Sequence, residues 1–344
     1  MQAIAKVERA PGAQLIEVNS PEIKPGHVRV KVLRTSVCGT DFHIFNWDEW
    51  SQGRIHPPRI LGHEMCGIIT EVGEGVSERK VGDYVASESH IVCGKCVQCL
   101  AGQGHVCKNT LILGVDVDGV FAPDIVIPEA NARLTDTSVS PEIASIQDPL
   151  GNAIHAALAT PLEGRTVLVM GCGPIGLFAI AVCKAMGAKQ TIAVEVSPYR
   201  LNLAEAMGAN VLLNPKNDNI EKTVLEYTGG IGVDVVLEMS GHPSSLNQAI
   251  NLVRSGGRLS LFGIYPKSEI EVNLNEIIFK GLLIQGTVGR KLYETWDQMH
   301  ELLSSGKLNV APVITHTLHY TEFAEGMELI RSGNCGKLVF HVAD

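Results

Sequence analysis

The sequence predicts an α/β protein with two domains, one rich in β-strands and one built on a doubly wound parallel sheet. Three observations predict this arrangement: the periodicity of the chain changes near residue 150, a glycine-rich turn joins an apolar strand to an apolar helix, and four cysteines lie close together. The length of 344 residues allows about two domains, each with its own buried core.

The first part of the chain predicts the β-rich domain. Over residues 1–147, short β-branched runs alternate with Gly and Pro turns, for example at 27–35, 66–72 and 84–86. This pattern is typical of an antiparallel, barrel-like β domain.

The second part of the chain predicts the parallel sheet. Between residues 152 and 289, apolar strand patterns alternate with helical patterns, and strict alternation favours a doubly wound sheet. The predicted strands are 166–170, 191–196, 210–213, 233–238, 258–262 and 282–285. Two helical stretches at 294–305 and 322–332 and a strand at 337–341 follow, and we expect this tail to return to the first domain.

Four cysteines with the spacing C-x2-C-x2-C-x7-C predict a metal site in the first domain; they are Cys93, Cys96, Cys99 and Cys107. Four thiolates can close a tetrahedral shell around one Zn2+ and leave no open position, so the site would be structural. An iron–sulfur cluster is the main alternative, but its fourth cysteine comes after three residues and precedes proline. Here seven residues separate Cys99 from Cys107, and Lys108 follows Cys107. Disulfides are the remaining alternative.

The glycine-rich turn predicts a dinucleotide-binding site. Gly171, Gly173 and Gly176 form a G-x-G-x-x-G pattern that follows a predicted strand and opens a predicted helix. Glu195 lies nineteen residues further, at the expected end of the next strand, where a carboxylate binds the ribose diol and repels a 2′-phosphate. NAD is therefore favoured over NADP, although Arg200 could lie near the ribose. The alternative is an ordinary tight βα turn.

A second set of metal-binding side chains is spread through the first domain. Cys38 follows a strand, and His63 and Glu64 follow a Pro-rich turn. Three ligands from S, N and O donors are typical of a catalytic zinc, which keeps one position open. Asp148 is a further carboxylate that could reach the same place. The alternatives are a buried core cysteine and a solvated His-Glu turn.

Composition disfavours several classes of protein. A net charge of −9 without a basic run argues against nucleic acid as a partner. Residues 166–183 carry no charge, but glycines and Pro174 divide them into a strand, a turn and a helix, which argues against a membrane span. An odd number of scattered cysteines, nine in all, and an N-terminus without a signal-peptide pattern predict a cytoplasmic protein.

The order of these motifs resembles that of the zinc-dependent medium-chain dehydrogenase/reductase family, of the alcohol dehydrogenase type. The resemblance covers essentially the whole chain. It implies a GroES-like catalytic domain at 1–150, completed by 290–344, and a Rossmann NAD-binding domain at 151–289. It also implies two Zn2+ per subunit, one catalytic at Cys38, His63 and Glu64 and one structural at the four cysteines.

Finer features resemble the members of this family that oxidise L-threonine; they lie at 38–43, 43–50, 88–93, 148–153, 237–241 and 277–281. The resemblance implies NAD-dependent oxidation of the threonine hydroxyl to 2-amino-3-oxobutanoate, a homotetramer, and functional coupling to a CoA-dependent lyase that consumes the product. A polyol or secondary-alcohol dehydrogenase and a redox-inactive nucleotide-binding zinc protein remain as alternatives.

The resemblance further implies roles for single residues. Thr40 and His43 would form a proton relay, and Asp148 would assist near the zinc. The residues implied to contact NAD are Gly171, Gly173, Ile175, Gly176, Glu195, Arg200, Phe262, Gly263, Ile264, Gly286 and Thr287. One departure from the family pattern is Pro123, which removes a backbone donor and puts local strand pairing in question.

Overall fold

A computed structural model describes residues 1–267 and 269–343, which form two compact units. Unit 1 comprises Met1–Pro149, Lys291–His300 and the chain from Ile314 onward, and unit 2 comprises Leu150–Arg290 and Glu301–Val313.

The strands, numbered along the chain, are β1 Gln2–Lys6, β2 Gln14–Glu17, β3 His27–Ser36, β4 Arg59–Ile60, β5 Glu64–Val72, β6 Tyr84–Ser87, β7 His90–Ile91, β8 Leu111–Ile112, β9 Asp124–Pro128, β10 Ala132–Leu134, β11 Thr166–Met170, β12 Gln190–Val194, β13 Val211–Leu213, β14 Val233–Glu238, β15 Val253–Leu261, β16 Leu283–Gly286, β17 Ile314–His319 and β18 Lys337–His341. The α-helices are α1 Gly39–Asn46, α2 Glu49–Arg54, α3 Val97–Leu100, α4 Pro141–Ser145, α5 Gln147–Ala157, α6 Pro174–Ala185, α7 Pro198–Met207, α8 Ile220–Tyr227, α9 Pro243–Leu252, α10 Leu274–Lys280, α11 Glu294–Ser304 and α12 Phe323–Arg331.

Unit 1 is the β-rich unit that the sequence predicts. Its largest sheet has the order β10-β6-β5-β3-β18-β17, with β9 also paired to β3, and a second sheet has the order β2-β1-β4. These strands pair antiparallel except β17 and β18, which are parallel. The pairing of β18 with β3 brings the chain end back to this unit, because apolar side chains of both strands enter one core.

Pro123 leaves the strand pairing of unit 1 intact. It lies just before β9, and its carbonyl oxygen accepts a 2.8 Å hydrogen bond from the backbone N–H of Val32. The missing N–H of the proline therefore falls outside the paired part of the strand.

Unit 2 contains the doubly wound parallel sheet that the sequence predicts. Its six strands have the order β13-β12-β11-β14-β15-β16 and all neighbours are parallel. The strand order reverses between β11 and β14, and ligands of such sheets bind outside the carboxyl ends of the strands at this switch point.

The expected boundary of the tail needs one correction. Residues 290–344 were expected to complete the first domain, but Glu301–Val313 belong to unit 2. The reason is packing, because the short 3-10 turn Ala311–Val313 contacts α6 and α7 and the side chain of Val313 is fully buried.

The uncharged stretch at 166–183 divides between β11 and α6, as its glycines predict. Within the described parts of the chain, none of the helices has the length and apolar character needed to cross a bilayer.

Candidate metal centres and dinucleotide-binding edge

Unit 1 brings Cys38, His63 and Glu64 together, as the sequence suggested. One ligand atom from each of the three side chains lies within 4.8 Å of the others. Cys38 directly precedes α1, while Glu64 begins β5. The chain turns into β5 at Gly62, where φ is +84° and a Cβ atom would come within 2.3 Å of the Phe121 ring. Only glycine fits at that turn.

The two carboxylate oxygens of Glu64 differ in their contacts. Its Oε2 accepts a hydrogen bond from the Ser36 hydroxyl and pairs with Nζ of Lys337 at 2.5 Å. Its Oε1 is buried and has no hydrogen-bond partner among the described residues. A buried carboxylate oxygen without a partner is costly in a folded protein, so the arrangement fits a cation at that oxygen.

His63 has a similar environment. Its Nδ1 is buried without a hydrogen-bond partner, and Oδ1 of Asp41 lies 3.9 Å away. Burial opposes protonation of the imidazole, but the adjacent Cys38, Asp41 and Glu64 together raise the pKa of His63 to about 10. The site therefore attracts positive charge, and its S, N and O donors form a ligand set that zinc prefers. These residues fit a zinc ion.

Asp41 joins the two segments that carry these three side chains. Its carboxylate accepts hydrogen bonds from the backbone N–H of Cys38 at 2.9 Å and of Gly62 at 3.2 Å. Burial raises the pKa of Asp41. The sequence pattern included this aspartate but gave it no role.

The predicted relay residues lie on α1, next to Cys38. Oγ1 of Thr40 lies 3.6 Å from Sγ of Cys38. His43 lies one turn further along the helix, and its Nδ1 is 2.5 Å from Oδ2 of Asp48. The side chain of His43 is 60% exposed, so solvent can reach the imidazole.

Asp148 lies outside the cluster of three ligand atoms. It is 4% exposed in the first turn of α5, and its Oδ1 accepts a 3.0 Å hydrogen bond from the backbone N–H of Ser89. Glu88, which directly follows β6, is fully buried, and its Oε2 accepts a 2.7 Å hydrogen bond from Nε1 of Trp296.

The four cysteines of the second metal centre also lie together. Sulfur–sulfur distances are 3.5 Å for Cys96–Cys99, 3.7 Å for Cys96–Cys107 and 3.5 Å for Cys93–Cys107. A tetrahedron with Zn–S bonds of about 2.3 Å has edges of about 3.8 Å, whereas a disulfide bond is about 2.0 Å long. All four thiols are free of disulfides. The amide of Asn109 helps to lower the pKa of Cys93 to about 5, which favours a thiolate ligand.

The glycine turn of unit 2 has the geometry that dinucleotide binding needs. Gly171 has φ +93°, and a Cβ on Gly176 would come within 2.0 Å of the Gly171 carbonyl oxygen. A Cβ on Gly173 would meet no atom within 4 Å. The first and third glycines are thus required by packing, while the second leaves open space at the N-terminus of α6.

Glu195 lies one residue beyond β12, which ends at Val194 rather than at 196 as predicted. Its carboxylate accepts hydrogen bonds from the backbone N–H groups of Cys172 at 2.8 Å, Val196 at 2.8 Å and Ser197 at 3.0 Å. These bonds fix the acidic side chain beside the glycine turn.

Nε of Arg200 and Oγ1 of Thr287 are among the buried polar atoms of unit 2 that have no hydrogen-bond partner in the described part of the chain. Arg200 lies on α7 and Thr287 directly follows β16, so both lie beyond the carboxyl ends of strands. Phe262, Gly263 and Ile264 follow β15 at the same edge, and Ile264 is 94% exposed. These residues fit a dinucleotide at this edge.

Comparison with known proteins agrees with these observations. A family model for the alcohol dehydrogenase GroES-like domain matches residues 24–136, and one for zinc-binding dehydrogenases matches residues 174–305. The chain belongs to the zinc-dependent medium-chain dehydrogenase family. The resemblance and the fold class inferred from the motifs are thereby confirmed, and the family uses zinc and NAD(P).

Similar relatives cover almost the whole chain. The L-threonine 3-dehydrogenase of Pyrococcus abyssi is 50% identical over 342 residues, which is 99% of this chain and 98% of the relative. The L-threonine 3-dehydrogenase of Bacillus subtilis is 48% identical over 340 residues and 98% of each chain. Among solved structures, an alcohol dehydrogenase from Thermus sp. ATN1 superposes with a TM-score of 0.92, at 30% identity and full coverage of both chains.

Sequence reasoning missed Lys337 and Ser36, the two residues that hold Glu64. Lys337 lies about 270 residues from Glu64 along the chain and opens an apolar strand. The only available signal was a lysine in a strand that is otherwise buried.

Proposed function

We propose that this enzyme oxidises the hydroxyl group of L-threonine to 2-amino-3-oxobutanoate with NAD+ as hydride acceptor. The observation that carries the proposal is the near full-length identity of about 50% with L-threonine 3-dehydrogenases, in a chain that brings Cys38, His63 and Glu64 together.

Two zinc ions per subunit are part of the proposal. Cys38, His63 and Glu64 would hold the catalytic ion, and Cys93, Cys96, Cys99 and Cys107 would hold the structural ion. The unpaired Oε1 of Glu64 and the thiol spacing near that of a ZnS4 tetrahedron support these assignments. A bound catalytic Zn2+ supplies Lewis-acid chemistry that makes an alcohol proton easier to remove.

The proton would leave the substrate hydroxyl through Thr40 and His43. Thr40 lies beside the candidate ligand Cys38, and the exposed imidazole of His43 can pass the proton to water. When Nδ1 of His43 carries the hydrogen, it donates that hydrogen to Asp48. Nε2 of His43 is then free to accept a proton. The buried Asp148 would assist as a fixed negative charge near the metal.

We assign cofactor binding to unit 2, with its core at 151–289, and catalysis to unit 1. Glu195 would accept hydrogen bonds from the adenosine ribose diol and disfavour a 2′-phosphate, so NAD+ is the preferred cofactor. The predicted contacts Gly171, Gly173, Ile175, Gly176, Arg200, Phe262, Gly263, Ile264, Gly286 and Thr287 would line the rest of the site.

A homotetramer, a cytoplasmic location and a CoA-dependent lyase that consumes 2-amino-3-oxobutanoate complete the proposal. Support for self-association comes from unit 2, where β16 is an edge strand and neighbouring apolar side chains are exposed. These side chains are Leu274, Ile278, Phe279 and Leu283, at 63%, 68%, 85% and 53% exposure. Apolar surface beside an unpaired edge is typical of an interface.

The test is NADH formation at 340 nm with L-threonine, D-threonine, L-serine, butane-2,3-diol and sorbitol. We expect the highest kcat/KM for L-threonine, and the same assay with Cys38→Ser provides the inactive control. A higher kcat/KM for sorbitol or the diol would instead make the enzyme a polyol or secondary-alcohol dehydrogenase. Binding of NAD+ without turnover of any alcohol would favour the redox-inactive zinc protein.

A further inference from the structure

Glu238 is a buried carboxylate at the carboxyl end of β14, in the middle of the parallel sheet. Its Oε1 accepts hydrogen bonds from the backbone N–H of Ser240, at 3.0 Å, and from the Ser240 hydroxyl. Its Oε2 accepts hydrogen bonds from the backbone N–H of Gly241, at 3.2 Å, and from the Tyr265 hydroxyl, at 2.8 Å. Four donors therefore converge on one side chain that is fully shielded from water.

The donors belong to two turns that touch each other. A Cβ on Gly263 would come within 2.1 Å of the Gly241 nitrogen and 2.8 Å of Oε2 of Glu238. A Cβ on Gly241 would come within 2.2 Å of the carbonyl oxygen of Ile264. The turn after β14 and the turn after β15 are thus in backbone contact, with Glu238 between them.

The same pair of turns adjoins the glycine-rich turn after β11. A Cβ on Gly171 would come within 2.9 Å of Cα of Ser240. The backbone N–H groups of Phe262 and Gly263 also donate to the carbonyl oxygen of Glu238, at 3.0 Å each. Glu238 therefore joins the turns after β14 and β15, and Ser240 places this pair of turns against the glycine-rich turn after β11.

Among the described residues, Tyr265 is the one side chain of the turn after β15 that forms a hydrogen bond with Glu238. Burial, with the Glu238 carboxylate beside it, raises the pKa of Tyr265, so the phenol remains a donor at neutral pH. The neighbouring Ile264 is 94% exposed and provides little anchorage of its own. The Tyr265 hydroxyl is thus a main attachment of this segment.

We propose that Glu238 is a positioning residue for the dinucleotide. Through its hydrogen bond with Tyr265, Glu238 holds the segment 262–264 in place. This inference rests on the proposed use of NAD+ by unit 2. A carboxylate is required because both oxygens face donors. A glutamine in either orientation would turn an NH2 group toward a backbone N–H, that of Ser240 or of Gly241, and lose that bond because an N–H cannot accept.

The test compares Tyr265→Phe and Glu238→Gln with wild type. Tyr265→Phe keeps the ring and removes one hydrogen bond to a charged group, so we expect about tenfold weaker NAD+ binding by calorimetry. We expect KM for NAD+ to rise by a similar factor while kcat stays within about twofold, because the segment orders again once NAD+ is bound. Glu238→Gln loses the bond from one backbone N–H and the negative charge that strengthens the other bonds, so it should also weaken NAD+ binding.

A second measurement detects the positioning without any cofactor. In hydrogen–deuterium exchange of the free protein, the peptide covering 262–267 should exchange faster in Tyr265→Phe, while β11 and β12 stay protected. Tyr227→Phe is the matched control, because Tyr227 is 54% exposed on α8, and it should leave affinity and exchange unchanged.

The outcomes separate this inference from the proposed function. A wild-type protein that does not bind NAD+ overturns both. Normal wild-type binding together with unchanged NAD+ affinity or unchanged exchange of 262–267 in Tyr265→Phe overturns the inference alone. Faster exchange throughout unit 2 would also overturn it, because it would show lost stability instead of lost positioning.

Discussion

The buried ion pair between Lys337 and Glu64 gives a prediction whose size follows from the structure. The two side chains are 2% and 1% exposed, and Nζ lies 2.5 Å from Oε2. Lys337→Met keeps most of the side-chain volume but removes the ammonium group that pairs with Glu64. It also removes the 2.8 Å hydrogen bond from Nζ to the Val37 carbonyl oxygen.

Removal of one partner of a buried pair typically costs about 3–5 kcal/mol, because the other charge remains buried without compensation. We therefore expect Lys337→Met to lower the free energy of unfolding by that amount in chelated protein. Addition of Zn2+ should recover part of the loss, because a cation near the free Oε1 would compensate the carboxylate. The double variant Lys337→Met/Glu64→Gln should be less destabilised than Lys337→Met alone, since no unpaired charge is left.

The assay is urea unfolding followed by tryptophan fluorescence. All three tryptophans, Trp47, Trp50 and Trp296, lie in unit 1, so the emission reports the unit that contains the pair. Lys291→Met is the matched control in the same unit. The Lys291 side chain is 42% exposed and its Nζ lies 3.6 Å from Oε2 of Glu294, and exposed pairs of this kind contribute about 0.2–1 kcal/mol.

A Lys337→Met protein whose unfolding free energy stays within about 1 kcal/mol of the wild-type value would refute the reasoning. It would show that water or another side chain compensates Glu64 after the substitution. A double variant less stable than Lys337→Met would refute it too, because the loss would then come from packing.

Four further predictions concern the metal, the cofactor, the proton route and acid stability. Elemental analysis should find close to two zinc ions per wild-type chain and one in Cys38→Ser, which should be folded but inactive; one ion retained in both proteins would contradict the two sites. Glu195→Ala should weaken NAD+ binding and reduce the preference of the enzyme for NAD+ over NADP+, measured as the ratio of the two kcat/KM values. Equal use of both cofactors by the wild-type enzyme would contradict the role of Glu195. His43→Ala should lower kcat about 10²–10⁴-fold with zinc content and NAD+ affinity near normal, whereas a raised KM for NAD+ with an unchanged pH profile would show that the imidazole only packs beside the cofactor. Burial opposes ionisation of Asp234, but hydrogen bonds from the Thr166 amide and Arg254 hold the pKa of Asp234 below its usual 3.8, so its stabilising effect is present above that pH and disappears as pH falls through the lowered pKa. Asp234→Asn should therefore destabilise the protein at pH 7 but have little effect in strong acid, and an equal loss of stability at both pH values would contradict this.

The sequence alone determined the features that depend on local pattern. The glycine spacing at 171–176 predicted a tight turn between β11 and α6, and α6 begins at Pro174, within the stretch that the sequence divided into strand, turn and helix. The cysteine spacing at 93–107 predicted a compact thiolate cluster, since so short a segment can bring its own side chains together. These features involve residues close in sequence, so residue type and spacing suffice.

Only the tertiary structure decided which distant residues meet. Lys337 reaches Glu64 because β18 returns to pair with β3, which itself pairs with β5. Tyr265 reaches Glu238 because β14 and β15 are neighbours and their turns emerge at one edge. Residues 301–313 join unit 2 because the turn at Ala311–Val313 packs on α6 and α7. Each contact depends on strand order and register, which are set by the burial of apolar faces over the whole chain. The spacing of the contacting residues in the sequence therefore does not predict these contacts.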